Sequence, residues 1–162
     1  MEANMTINAI LACDLNFGIG NEGNLPWPKN DRDMKWFRDH TMGHVVVMGR
    51  KTWESIGSKP LPKRTNVVIT SQELEGPELT MNGDMGQILD YVKRKYDGLH
   101  VWVIGGSEIY GQAIPYCDKL YLTTINGMFE CDAYVESDII TKFPVIEHWQ
   151  EDPEITFQIR RR

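Results

Sequence analysis

The chain has 162 residues, 41 % of them hydrophobic and 25 % charged, with a formal net charge of −6. That acidic balance works against binding a phosphate backbone, and no uncharged apolar run is long enough to cross a membrane, so neither nucleic acid nor a bilayer is an expected partner. Cys13, Cys117 and Cys131 are odd in number and far apart, and no Cys or His cluster has zinc-ligand spacing; the expectation is a reducing, cytoplasmic setting and no bound metal.

Met1–Asn4 reads as a disordered tail. Ile7–Cys13 is the first candidate strand. Gly18-Ile19-Gly20-Asn21-Glu22-Gly23 then matches G-x-G-x-x-G to the letter, but a dinucleotide turn must open a helix, and Asn24-Leu25-Pro26-Trp27-Pro28 cannot form one. A mobile glycine-rich loop over a site is the better reading. Pro26 and Pro28 place a helix after them, and over Asp31–Thr41 the residues Asp33, Trp36, Phe37 and His40 recur at i, i+3, i+4 and i+7. An acid on that stripe is costly to bury. Two readings stay open at this point: Asp33 is a chemical group, or it is the third residue of a capping box opened by Asn30.

His44–Met48, Thr65–Thr70, Leu79–Met81 and His100–Ile104 read as further strands, and Lys51–Ile56, Met85–Tyr96 and Glu108–Ile114 as helices. Val45-Val46-Val47-Met48 and Val101-Trp102-Val103-Ile104 are continuously apolar, as central strands covered on both faces should be. Each ends at glycine and enters a helix. Met48-Gly49-Arg50-Lys51-Thr52 offers two cations and a hydroxyl there, and Ile104-Gly105-Gly106-Ser107 a glycine pair; both suit phosphate, and Arg50 suits a phosphate monoester. Thr70-Ser71 adds hydroxyls on the same sheet edge. Arg64, entering a strand after Leu61-Pro62-Lys63, has the fork for a carboxylate.

Lys119–Ile125, Val145–Gln150 and Ile155–Arg160 complete the strands. The fold expected is α/β: a single domain over residues 1–162, with a mostly parallel eight-stranded central sheet, an antiparallel C-terminal hairpin strand and about four flanking helices. A monomer is expected.

Taken in order, Gly18-Ile19-Gly20 with Leu25-Pro26-Trp27, Asp33-Met34-Lys35-Trp36-Phe37, Met48-Gly49-Arg50-Lys51-Thr52-Trp53-Glu54-Ser55-Ile56-Gly57, Pro60-Leu61-Pro62-x-Arg64-x-Asn66, Val103-Ile104-Gly105-Gly106 with Ile109-Tyr110, and Leu120-Tyr121-Leu122-Thr123 resemble dihydrofolate reductase. The likeness runs from about Ile7 to Asp132. It implies NADPH-dependent reduction of 7,8-dihydrofolate to 5,6,7,8-tetrahydrofolate, by hydride transfer to C6 and protonation at N5, and a target for antifolates.

By the same resemblance, Asp33 is the acid that pairs with the pterin, Thr123 the hydroxyl behind it, and Leu25 and Trp27 complete the catalytic group. Ile10, Met34, Phe37, Arg38, Ile56, Leu61, Arg64, Ile104 and Tyr110 would contact the substrate, with Arg64 on its glutamate carboxylate. NADPH would lie against Ala12, Gly18, Ile19 and Gly20, against Gly49, Arg50, Lys51 and Thr52, against Ile69, Thr70 and Ser71, and against Gly105, Gly106, Ser107, Glu108, Ile109, Tyr110 and Gln112. The Gly105–Gly106 bond is expected to be cis.

Two other readings compete. A pyrimidinone reductase of riboflavin synthesis shares the glycine pair but does not need Asp33 or Arg64, and a folate- or NADP-binding structural component would show a decayed site. The chain departs from many family members in the short Gln150–Glu154 connection before its last strand. That connection is too short to reach the glycine-rich loop, which leaves Asp132 as the partner expected to support loop closure.

Overall fold

A computed structural model describes residues 5–162, so the tail expected at Met1–Asn4 lies outside the described residues. The chain order is β1 (Ile7–Cys13), β2 (Gly18–Gly20), α1 (Asp31–Thr41), β3 (Val45–Gly49), α2 (Arg50–Ser55), β4 (Thr65–Ile69), β5 (Leu79–Met81), α3 (Met85–Lys95), β6 (Val101–Gly105), α4 (Ser107–Ala113), a 3₁₀ turn (Ile114–Tyr116), β7 (Lys119–Ile125), β8 (Ala133–Tyr134), α5 (Ile139–Lys142), β9 (Val145–Asp152) and β10 (Ile155–Arg161). The expected elements sit within one or two residues of these bounds, the usual scatter at fraying ends. Four short elements were not expected: α5, β2, β8 and the 3₁₀ turn.

Eight strands form one sheet in the order β5-β4-β3-β6-β1-β7-β10-β9. Pairing is parallel from β5 to β7, and antiparallel from β7 to β10 and from β10 to β9. The continuous apolar runs explain the middle of this order. Val45, Val46 and Val47 are all fully buried, because α3 and α4 cover one face of the sheet while α1 and α2 cover the other. On the first face Met85, Ile88, Leu89 and Val92 of α3 pack with Leu11, Val47 and Val103. On the second, Trp36 and Phe37 of α1 join Ile10, Met48, Trp53 and Trp102.

The segment read as a mobile loop is more ordered than expected at its start. Gly18–Gly20 pairs antiparallel with Ala133–Tyr134 as a separate two-stranded sheet. This is a correction to the loop reading. Its physical reason is that a three-residue strand holds too few side chains to show an alternation, and its partner lies more than a hundred residues away. The C-terminal connection is also shorter than expected. β9 runs on to Asp152, so only Pro153 and Glu154 turn the chain into β10.

Candidate active site

The site begins at the start of α1. Asn30 caps the helix, and its side chain accepts from the Asp33 amide at 3.0 Å. The box is one-sided: among the described residues no bond returns from the Asp33 carboxyl to the Asn30 amide, and that carboxyl lies beside Thr123 instead. The cap reading therefore holds for the Asp33 amide, while the carboxyl turns away from Asn30. Burial raises the Asp33 pKa, and the Thr123 hydroxyl offsets this only in part.

Thr123 reaches this spot because β7 is parallel to β1 in a register that sets it opposite Ala12. Its Oγ1 and the Trp27 Nε1 are buried and have no partner of ordinary hydrogen-bond geometry among the described residues. Buried polar atoms are rarely left so, and a water or a polar ligand can satisfy them. Beside it, Leu25 is 54 % exposed and Met34 43 % exposed, an apolar edge with nothing of the chain over it. Ile10 is buried, and Ala12, Phe37, Ile56 and Ile104 are half-buried around the same face of the sheet. Tyr110, expected at the ligand surface, is buried beneath it. Its hydroxyl donates to the Ile10 carbonyl at 2.7 Å, and burial, with Asp33 next, drives its pKa upward.

Arg64 lies at the far end of this face, half-buried. Its Nε donates to the Pro62 carbonyl at 3.1 Å, Nη1 to Thr41 Oγ1 at 3.1 Å, and the guanidinium stands 5.9 Å from the Phe37 ring centre. Burial, with the nearby Arg38 charge second, makes its protonated form less favourable, as expected where two cations await an anion. Arg38 is exposed and lies 3.9 Å from Asp39. Asn66, quoted in the motif without a role, proves to be the organiser here. Its side chain accepts from the Leu61 amide at 2.9 Å and donates to the Leu61 and Arg64 carbonyls at 3.0 Å each.

The two strand-to-helix junctions meet at the carboxyl ends of β3 and β6. A Cβ on Gly49 would stand 2.8 Å from Ile109 Cγ1, so only glycine allows α4 to approach β3 this closely. A Cβ on Gly106 would stand 3.6 Å from Thr52 Oγ1, so α2 and α4 open side by side. The Gly105–Gly106 peptide is cis, as expected. Lys51, Ser71, Ser107, Glu108 and Gln112 are exposed along this edge, with Thr52, Ile69 and Thr70 half-buried. Arg50 is not free: its Nη1 lies 2.8 Å from Glu54 Oε2, one helical turn on. Gly18, Ile19 and Gly20 pass near the end of β1, held by Asp132. The Asp132 amide donates to the Gly20 carbonyl and its carboxylate accepts from the Glu22 amide, each at 2.9 Å.

Sequence reading missed Asp14, which only seemed to end the first strand. It is 1 % exposed and its carboxylate gathers amides from two loops. An acid directly after an apolar strand and before a loop was the one available signal, and it is a common pattern.

Comparison with known proteins gives a consistent result. The family model described as dihydrofolate reductase matches residues 6–160. The chain is 39 % identical over 147 residues to dihydrofolate reductase of Haemophilus influenzae, covering 91 % of this chain and 83 % of that protein. It is 40 % identical over 131 residues to that of Bacillus subtilis, covering 79 % and 74 %. A solved structure of dihydrofolate reductase from Enterococcus faecalis, complexed with NADP(H) and RAB-propyl, superposes with a TM-score of 0.81 at 32 % identity, covering 97 % of this chain and 96 % of that one.

Proposed function

The chain belongs to the dihydrofolate reductase family, and from that premise we propose how its own residues carry out the NADPH-dependent reduction of 7,8-dihydrofolate to 5,6,7,8-tetrahydrofolate. One observation carries the reading. A half-buried carboxyl of raised pKa, Asp33, lies beside the buried Thr123 hydroxyl, at an apolar edge where Leu25 and Met34 are left exposed.

Asp33 would accept from the amino and ring N–H groups of the pterin, and Thr123 would hold that carboxylate in place. Leu25, Met34, Phe37 and Ile56 would enclose the rings, and Arg64, fixed by Asn66 and Thr41, would take the glutamate carboxylate. The close packing of Ile109 on Gly49 sets the starts of α2 and α4 side by side, and the backbone amides there fit a dinucleotide. Gly49 to Thr52 and Gly105 to Gln112 would hold its phosphates, with Arg50 and Lys51 on the 2′-phosphate. When bound, NADPH supplies the hydride that reduces C6 of the pterin. The raised Asp33 pKa would favour a proton reaching N5, and closure of the Gly18–Pro26 loop would limit access of bulk water.

The test is direct. Absorbance at 340 nm should fall when the protein meets NADPH and dihydrofolate together, and a flat trace would sink the proposal. The sheet runs through the described residues without a break, which supports one domain. No helix among the described residues is long and apolar enough to cross a membrane. A monomer acting in the cytoplasm, without nucleic acid, fits the acidic composition.

A further inference from the structure

We infer that Asp14 is a positioning residue for this reaction: its carboxylate ties the loop before β2 to the loop before β8, and through them sets the wall of the active site. The inference rests on the reductase reading above. Oδ1 accepts from the Asn16 and Gly18 amides at 2.9 Å each, and Oδ2 accepts from the Phe129 amide at 3.0 Å and the Cys131 thiol at 3.7 Å. Donors from two segments more than a hundred residues apart thus converge on one buried side chain. Among the described residues no cation joins them; the charge is held by N–H and S–H dipoles. Burial pushes the Asp14 pKa up, and the bonds from Phe129, Gly18 and Asn16 more than reverse this.

The same knot is sterically closed. A Cβ on Gly18 would fall 2.3 Å from Cys131 Sγ and 2.8 Å from its Cβ, so the loops touch at Gly18 with no room for a side chain. The backbone repeats the tie: the Asp14 amide donates to the Gly18 carbonyl and the Leu15 amide to the Gly127 carbonyl, each at 3.0 Å.

Two outputs leave the knot. One is the β2–β8 pair with its Asp132 bonds to Gly20 and Glu22, which fixes the glycine-bearing loop. The other is Phe129, whose ring meets Trp27 edge-on at 5.9 Å beside the unpartnered Trp27 Nε1. Asp14 touches no reacting atom; it acts through these two. A misplacement of reacting groups by about 1 Å is enough to slow a chemical step by orders of magnitude.

Asp14→Asn keeps the size but puts an NH₂ where amides must be accepted. Two readouts decide. In cofactor-free protein, amide exchange at Gly18 and Phe129 should quicken by about tenfold or more. In single turnover the chemical step should slow by about tenfold or more, with KM for dihydrofolate within about twofold of wild type, because Asp33 and Arg64 are untouched. If either the exchange or the chemical step stays near wild type, the inference is wrong. Should Asp14→Asn fail to fold, Gly18→Ala forces the same two loops apart without altering the carboxylate. It should slow the chemical step, and adding Cys131→Gly, which empties the space, should restore it; no slowing, or no rescue, overturns the inference. Wild-type turnover separates the two claims. An inactive wild type removes the reductase reading and this inference with it, whereas an active wild type with an unaffected Asp14→Asn removes this inference alone.

Discussion

Asp14 is a buried carboxylate just after β1 and Asp33 a half-buried one on α1, and their pKa values move in opposite directions. Asp14 follows β1 among three backbone amides and a thiol, and its pKa is lowered. Asp33 opens α1 with only the Thr123 hydroxyl to favour its charge, and its pKa is raised. Desolvation is the largest single influence on both. The partners decide the sign. A satisfied acid holds loops together, whereas an unsatisfied one stays protonated at higher pH and keeps its hydrogen-bonding capacity for a guest.

The sharpest break of this comparison is Asp33→Asn. It should lower kcat on dihydrofolate by about 10²–10⁴-fold, the range of a lost acid, while the melting temperature at pH 7.5 stays at or above wild type because a buried charge has been removed. A variant with near-normal turnover would falsify the role of Asp33. One that loses stability as well would show that the carboxyl is needed for the fold.

Asp14→Ala should move stability the other way. Removing the acceptor strands buried amides and should cost about 1–3 kcal/mol at neutral pH, read from urea unfolding. The sign follows from linkage: the folded pKa of Asp14 is depressed, so its contribution is present above the unfolded value of 3.8 and is lost as pH falls through the folded one. Asp33 has the reverse sign, its contribution being lost as pH rises through its raised value. Three histidines act in a higher window. Burial lowers the pKa of His40, His44 and His100, so stability should decline as pH falls from about 6.5, before Asp14 is engaged. In the Asp33→Asn variant, which lacks the opposing contribution of Asp33, a melting temperature that does not fall from pH 7 to pH 5 would exclude this.

The pH profile of the chemical step isolates the unsatisfied acid. Above the raised Asp33 pKa the rate should drop by about tenfold per pH unit, and Asp33→Asn should flatten that limb. A wild-type profile with no falling limb, or a limb that Asp33→Asn leaves unchanged, would show that the Asp33 proton does not limit the step.

The smallest effects should come from exposed charges, where solvent rather than the protein satisfies the ion. Arg50→Ala with Lys51→Ala should raise KM for NADPH by about tenfold and leave NADH nearly unchanged, whereas equal losses would show that neither residue reads the 2′-phosphate. Glu54→Gln, which releases Arg50 from its 2.8 Å pair, should change KM for NADPH by no more than a few-fold, since exposed pairs are worth about 0–1 kcal/mol.

Much of this molecule was determined by sequence alone. The apolar runs of β3 and β6, the stripe Asp33-Trp36-Phe37-His40 and the glycines at both junctions are local patterns, because hydrophobic periodicity and backbone sterics act between near neighbours. The tertiary structure decided what depends on distant partners. Asn66 became the brace of Leu61 and Arg64, and Gly18–Gly20 became a strand only when Ala133–Tyr134 arrived beside it. The two acids divided in the same way. Asp14 and Asp33 are the same residue type; Asn16 and Gly18 donate to Asp14 from its own loop, but the Phe129 and Cys131 donors, and the Thr123 hydroxyl beside Asp33, come from far along the chain. A pKa is set by the charges and dipoles within a few ångströms in space, and the chain must fold before those neighbours exist.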